Sequence, residues 1–350
     1  MKANSIFLVL FLALFLSAAS ARAGEAEDSL NEGLALHDEG KLKEAIEHYN
    51  RAIRLNPRLM EAYYNRGNAY YDLGQNEPAI KDYSEVLRLN PRDGDARYNR
   101  GNAYRRLKRY DRALQDYTEA IRVKPETAEI RVNRGAVYYS LGRYEPAAQD
   151  YDEAIRLNPE DPEAYYNRAN TYVKMGKKEQ AIEDYNQALS LDAKLVDAYY
   201  NRGITYAELG QLDKAVEDYT QVLSLNSKSA EAYYNRGLAR YKLRQNEEAI
   251  EDYSEAIRLN PTDVEANFSR GLAYSQVGKY DYAARDYSEV IRLQPRNGEA
   301  YAQRGLTRLY QQKEKEAEAD FKKAYQLDAT LKKKLDPLIK EAKAKAAGQP

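Results

Sequence analysis

Few side chains in this sequence have the types and spacing that catalysis or metal binding requires. Its 350 residues include two histidines, His37 and His48, and no cysteine. A catalytic zinc site needs three protein ligands, which these two side chains cannot supply. Carboxylates are abundant but recur at a regular interval, which is typical of solvated faces and ion pairs rather than of a unique acid–base couple. We therefore predict a protein that is not an enzyme and that uses no cofactor or metal.

Side-chain amides form the one regular pattern that is suited to recognition. At a constant interval of 34 residues, the same position holds an asparagine seven times and then a serine and a glutamine. An amide offers a donor and an acceptor, which matches successive peptide groups of an extended chain whatever its side chains. We call this position the asparagine column, and its members are Asn31, Asn65, Asn99, Asn133, Asn167, Asn201, Asn235, Ser269 and Gln303.

The elements that position these amides belong to a tandem repeat with the same 34-residue period. Residues 60–93 serve as its template. Glycine recurs at this interval from Gly33 to Gly305, with Ala169 in the single gap. An aromatic residue recurs in the same way from Tyr49 to Phe321. A fixed period of roughly 20 to 50 residues indicates a repeat architecture, here of nine copies without an insertion.

The template resembles the tetratricopeptide repeat, a helix–turn–helix unit of this length. The residues that carry the resemblance are Gly67, Tyr70, Ala79, Tyr83, Val86 and Pro91. The resemblance implies an all-α fold, a right-handed α-solenoid (superhelix) whose inner surface binds other proteins. The repeats are then 26–59, 60–93, 94–127, 128–161, 162–195, 196–229, 230–263, 264–297 and 298–331.

The column is similar to the asparagine ladder on the inner face of some tetratricopeptide superhelices, which holds the main chain of an extended peptide. This similarity implies a peptide-binding concave face. The alternative is that the amides bridge neighbouring helices, and the sequence leaves both open. The candidate binding residues are Tyr64, Asn65, Asn68, Asn99, Asn102, Asn133, Asn167, Asn170, Asn201 and Asn235.

Helix-terminal residues recur with the repeat. Asp93, Asp161, Asp263, Thr127, Ser229 and Asn297 precede the first helices, as N-caps do. An acid follows in the first turn of every copy, where the helix dipole stabilises it. The alternative explanation for this recurring acid is that it attracts a basic partner. Gly74 and its equivalents should end the first helices in a left-handed turn, with non-glycine residues in three copies. Those three are Lys108, Arg244 and Gln312.

Helical phase predicts two contacts between the helices of one repeat. Gly67 should lie against Ala79, so that the helices approach closely. Arg66 and Asp82 fall on the same flank and should form an ion pair, which recurs in eight copies. The first copy has Glu32 and His48 at these positions instead.

The first 23 residues resemble a secretory signal peptide. Lys2 is a basic start, residues 6–16 are apolar, and Ala21 and Ala23 form a small-x-small cleavage site. A membrane anchor is the alternative, but eleven apolar residues are few for a bilayer. We expect cleavage after Ala23, a short lead at 24–25, and no membrane insertion afterwards. Without cysteine no disulfide can form, which favours the bacterial periplasm.

Residues 332–347 should form a C-terminal capping helix, because the last repeat needs a polar outer cover. A membrane-surface helix is the alternative. Lysines surround a narrow apolar stripe formed by Leu335, Leu338, Ile339 and Ala342.

The formal net charge of −1 gives no electrostatic reason to expect nucleic acid as a partner. The sequence therefore predicts an exported scaffold that binds envelope proteins or extended peptide segments. A structural protein that self-associates through its terminal repeats is the alternative. A role in positioning a partner enzyme is a third possibility.

Overall fold

The structure, a computed structural model, describes residues 22–346, so residues 1–21 of the predicted signal peptide lie outside the described residues. Within these residues the chain is helical and has no strand. The first helices of the repeats are α1 (22–38), α3 (Met60–Asp72), α5 (Gly94–Arg106), α7 (Ala128–Ser140), α9 (Pro162–Lys174), α11 (Val196–Glu208), α13 (Ala230–Lys242), α15 (Val264–Gln276) and α17 (Gly298–Tyr310).

Each first helix is followed by a second helix of 14 residues. These are α2 (Leu42–Leu55), α4 (Asn76–Leu89), α6 (Tyr110–Val123), α8 (Tyr144–Leu157), α10 (Lys178–Leu191), α12 (Leu212–Leu225), α14 (Asn246–Leu259), α16 (Tyr280–Leu293) and α18 (Glu314–Leu327); α19 (Leu331–Ala346) ends the described chain. The predicted all-α fold of tandem helix–turn–helix units is confirmed.

The contacts divide the chain into two compact units, one ending at Met175 and the other beginning at Gly176. In each unit a second helix packs against the first helix of its own repeat and against the next first helix. Neighbouring first helices also touch, as α5 and α7 do, whereas no second helix touches the next one among the described helices. Within each unit the first helices therefore line the concave side.

Capping and turn residues set the ends of the helices. The side chains of Asp93, Asp161, Ser229, Asp263 and Asn297 accept hydrogen bonds from first-turn amides, as predicted. Thr127 precedes α7 but accepts no such bond. The predicted left-handed turns are also confirmed, because six glycines have φ between 71° and 75°. The three non-glycine equivalents adopt the same conformation, with φ of 56° at Lys108, 63° at Arg244 and 61° at Gln312.

The hairpin cores are built on a glycine facing a buried tyrosine. A Cβ at Gly67 would lie 2.9 Å from Cε1 of Tyr83, whose side chain is fully buried. The contact between Gly67 and Tyr83 was not foreseen from the sequence. The ring of Tyr83 is the nearest group, because its larger volume fills the space between the two helices.

Seven of the eight predicted flank pairs are confirmed. Two hydrogen bonds join Arg66 to Asp82, 2.8 Å long from Nε and 2.6 Å from Nη2. In the first repeat, Nδ1 of His48 lies 2.8 Å from the Glu32 carboxylate, so a histidine–carboxylate contact takes the place of the pair. The other pairs with this geometry are Arg100–Asp116, Arg134–Asp150, Arg202–Asp218, Arg236–Asp252, Arg270–Asp286 and Arg304–Asp320.

Each arginine of these pairs also reaches the second helix of the preceding repeat, a contact that the sequence reasoning missed. Nη1 of Arg100 donates to Ser84 at 3.0 Å, and that of Arg202 donates to Asn186 at 2.6 Å. One guanidinium thereby connects three helices and fixes how successive repeats stack. The side chain that accepts this bond is always a hydroxyl, an amide or a carboxylate, and this recurrence in the sequence could have revealed the contact. The acceptors are Asn50, Ser84, Thr118, Asp152, Asn186, Thr220, Ser254 and Ser288.

The last helix, α19, packs mainly against α17 rather than against α18. Leu331, Leu335 and Ala342 are buried in this contact. Leu338 was predicted to share the apolar stripe but is 44% exposed, because α19 leans toward the first helix of the last repeat. Among the described residues, no helix combines the length and the hydropathy that crossing a bilayer requires.

Candidate functional site

The asparagine column lies on the concave side of each unit, and its amide nitrogens are held by the preceding repeat. Nδ2 of Asn99 donates to the hydroxyl of Tyr64 at 3.0 Å. Nδ2 of Asn133 donates in the same way to Tyr98 at 2.6 Å, and that of Asn235 to Tyr200 at 2.9 Å. The column therefore bridges first helices, which was the structural alternative considered from the sequence.

A second row of amides is oriented from the hydrophobic core. The buried Tyr83 donates its hydroxyl to Oδ1 of Asn68 at 2.8 Å. Tyr117 does the same to Asn102 at 2.6 Å. Because the carbonyl oxygens of Asn68 and Asn102 accept these bonds, their Nδ2 groups are turned away from the core.

The column varies where the preceding tyrosine is missing. Asn65 follows Leu30 and donates instead to the main-chain oxygen of Glu61 at 2.9 Å. Asn167 follows Val132, which has no hydroxyl to accept its amide. Asn170 and Asn201 also have interaction partners. The sequence reasoning treated Tyr64 as a flanking contact residue and missed its role as an acceptor, although the 35-residue spacing from tyrosine to asparagine could have shown it.

The hydrogen bonds leave the amide oxygens of the column unused. Within residues 22–346, Oδ1 of Asn99, Asn133 and Asn235 accepts no hydrogen bond. The amides of Asn68 and Asn102 also interact with the hydroxyls of Tyr64 and Tyr98. All five asparagine side chains are partly exposed. The face thus presents fixed acceptors, which the main-chain N–H groups of an extended peptide need.

The electrostatics of this face suit neutral hydrogen bonding rather than proton transfer. Burial raises the pKa of Tyr64, the nearby Asp95 and Asp93 raise it further, and the hydrogen bond from Asn99 opposes the rise. The hydroxyl therefore stays protonated at neutral pH. In the described part of the chain, no three histidine, aspartate or glutamate side chains lie together as metal ligands would.

Family models match most of the chain. One described as a TPR repeat matches residues 33–74, 135–176, 169–210 and 205–244. Models described as tetratricopeptide repeats match residues 64–122, 230–263, 253–285 and 298–331. The chain belongs to the tetratricopeptide repeat family. The hairpins, their glycine–tyrosine contacts and their left-handed turns are thus the tetratricopeptide architecture of this chain.

Solved tetratricopeptide structures resemble this chain. A tetratricopeptide repeat protein from Parabacteroides merdae matches with a TM-score of 0.54 and 22% identity, over 71% of this chain and 99% of its own. This match shows the shared fold. MamA is 30% identical over 47% of this chain and 96% of its own, with a TM-score of 0.45.

YrrB, described as a TPR protein with an unusual peptide-binding site, is 24% identical over 53% of this chain and 96% of its own, with a TM-score of 0.48. No curated protein sequence matches the chain significantly.

Proposed function

We propose that this tetratricopeptide array is a non-enzymatic scaffold that binds an extended segment of a partner protein along its first helices. The observation that carries the proposal is the unused acceptor of the asparagine column. Oδ1 of Asn99 and Asn133 has no partner within the described residues, while Nδ2 of each is fixed by a tyrosine. Fixed side chains lose little entropy on binding, which favours affinity.

The mode of binding follows from the remaining groups. Oδ1 of Asn99 and Oδ1 of Asn133 each accept a main-chain N–H of the partner. These two residues occupy the same position in successive repeats and are both partly exposed. The partner is read mainly as an extended main chain, while Tyr64 and Tyr98 supply contact area with little loss of side-chain entropy.

The test begins with a peptide selected from a display library of random dodecamers against the purified protein. Its affinity is then measured for the wild type and for Asn99→Ala/Asn133→Ala. Losing one partner of a hydrogen bond costs about 1–3 kcal/mol, so the double variant should bind at least about tenfold more weakly. Methylating the peptide nitrogens should weaken binding more than scrambling the sequence.

Tyr98→Phe is the matched control, because it removes the hydroxyl that orients Asn133 but leaves the amide in place. We expect it to bind more tightly than the double variant. Circular dichroism checks that all variants stay helical. If the double variant stays helical and binds the peptide as the wild type does, the column is only structural.

We also propose that the chain is exported and acts on envelope proteins after cleavage following Ala23. Residues 22–25 are exposed, and the first buried side chain among the described residues is Ala26, so the described core uses neither Arg22 nor Ala23. N-terminal sequencing of exported protein should begin at Gly24. A retained Met1 in the membrane fraction would indicate an anchored protein instead.

A further inference from the structure

A cavity of about 200 Å³ opens on the concave side of the second unit, where the asparagine column is interrupted. Its walls include the rings of Tyr234 and Phe268, the hydroxyl of Ser269, and the carboxylates of Glu265 and Glu299. Both glutamates are in the first turns of their helices and are exposed to solvent. The cavity therefore combines aromatic surface with two acids.

The equivalent place in the first unit is closed by hydrogen bonds. There Asn133 donates to the hydroxyl of Tyr98 at 2.6 Å, and that hydroxyl donates to Glu129 at 2.6 Å. Ser269 replaces the asparagine in the second unit and is too short to reach Tyr234 in the same way. The Tyr234 hydroxyl and the Glu265 carboxylate are consequently free of hydrogen bonds within the described residues.

The next repeat loses the same set of contacts for a second reason. Phe268 stands where Tyr98 and Tyr234 stand in their repeats, so it has no hydroxyl to offer to Glu299. Its ring packs instead against Tyr287, with the ring centroids 5.6 Å apart. Neither Glu265 nor Glu299 forms an ion pair with any residue from 22 to 346.

A buried hydroxyl without a partner lies beside this cavity. Tyr253 is fully buried, and its hydroxyl has no hydrogen-bond partner, because Leu238 stands where Asn68 accepts from Tyr83. The Tyr253 ring lies 5.9 Å from the ring of Tyr234 in the cavity wall. Burial raises the pKa of Tyr253, and the neighbouring Ser269 hydroxyl opposes the rise.

We propose that this cavity binds the cationic side chain, lysine or arginine, of a segment held in the groove. A cationic head group has only donors, and the cavity offers acceptors in Glu265, Glu299 and the hydroxyl oxygen of Tyr234. The faces of Tyr234 and Phe268 add attraction for a cation. The proposal rests on the proposed function and adds a side-chain preference at the eighth repeat to main-chain recognition.

The test uses small capped amino acids, so that it does not depend on knowing the partner. Ligand-observed NMR at low salt measures binding of N-acetyl-arginine amide and N-acetyl-lysine amide, each against a neutral analogue of similar shape, the citrulline or norleucine amide. Charge-assisted hydrogen bonds are the stronger kind, so the cations should bind about tenfold more tightly than their analogues. Comparing the two cations tells which head group fits.

Three variants locate the site. Glu265→Gln/Glu299→Gln should weaken binding of the preferred cation about tenfold by removing both charges. Ser269→Asn should abolish it, because the asparagine would fill the cavity and donate to Tyr234. Glu231→Gln is the control. Glu231 is the acid at the same position of the preceding repeat, where the hydrogen bond from Asn235 to Tyr200 closes the equivalent space. This variant should bind the cation as the wild type does.

Equal binding of arginine and citrulline, or full binding by the glutamine double variant, would overturn the cation site. The selected groove peptide separates the two proposals. If that peptide still needs Asn99 and Asn133 while the capped cations do not bind, only the cation site fails. If the capped arginine or lysine binds as described but no peptide does, the cation site stands and the groove fails.

Discussion

Arg202 and Asp218 form two parallel hydrogen bonds, 2.9 Å long from Nε to Oδ2 and 2.6 Å from Nη2 to Oδ1. Their side chains are only 16% and 5% exposed. Burial raises the pKa of Asp218, even though Arg202 lowers it. A buried ion pair is weak evidence for stability, so we assign to this pair mainly the role of aligning the helices.

Asp218→Ala should destabilise the protein by about 2–4 kcal/mol, because it leaves the guanidinium of Arg202 buried without its carboxylate. Glu255→Ala in the next repeat is the control. It breaks the exposed pair with Arg258 and should leave the denaturation midpoint nearly unchanged. Urea unfolding followed by circular dichroism measures both. Equal shifts would mean that the buried pair contributes no more than the surface pair.

Replacing the pair together should cost less than breaking it. In Arg202→Met/Asp218→Leu no charge is left buried without its partner, so its loss of stability should be smaller than that of Asp218→Ala. The same unfolding experiment decides the order of the two variants. A double variant less stable than the single one would show that the contact of Arg202 with Asn186 dominates.

Lys108→Gly and Arg244→Gly should each stabilise the protein by about 1 kcal/mol, because these residues have positive φ, which glycine adopts without steric cost. Lys242→Gly is the control, since Lys242 is the last residue of α13 and has no left-handed backbone, so glycine there should not stabilise. Thermal unfolding midpoints measure the three changes. If Arg244→Gly lowers the midpoint, the arginine side chain makes a contribution that exceeds the backbone strain.

Gly203→Ala should destabilise by about 1–3 kcal/mol through overpacking. An added Cβ would lie 2.9 Å from Cε1 of the buried Tyr219, closer than carbon atoms pack. Gly210→Ala, at a left-handed turn with open space around it, should also destabilise but through backbone strain. Adding Tyr219→Leu to Gly203→Ala should restore stability, because the smaller side chain makes room for the methyl group. Adding it to Gly210→Ala should restore none. Urea unfolding measures both double variants.

Stability should fall steeply above about pH 10, where tyrosine ionises in an unfolded chain. Burial raises the pKa of Tyr49 to about 12, with a further rise from Asp38, and burial also raises the pKa of Tyr83 and Tyr219. Because these folded-state pKa values are raised, their contribution is fully present below pH 10 and is lost as the pH rises toward the folded values.

Alkaline unfolding followed by circular dichroism and tyrosinate absorbance checks this expectation. Tyr219→Phe removes one of the linked groups and should make the decline shallower. An unchanged slope would contradict the linkage.

The sequence by itself determined the repeat, the helix boundaries and the flank pairs, because these depend on local chemistry and helical phase. Asp93 caps a helix through its own neighbours, and Gly74 turns the chain through its own φ. Arg66 pairs with Asp82 because each residue lies on the same side of the core face of its helix, within one hairpin. A strict period repeats these local rules, so one template described all copies.

The tertiary structure decided every relationship that depends on how one repeat stacks on the next. The phase of Asn99 placed it on the concave side, but only the stacking distance brought its amide to Tyr64 and left its oxygen free. The same holds for the contact of Arg100 with Ser84 and for the cavity at Ser269. Helical phase fixes directions around one axis, whereas separations between helices come from the volumes of all the side chains packed between them.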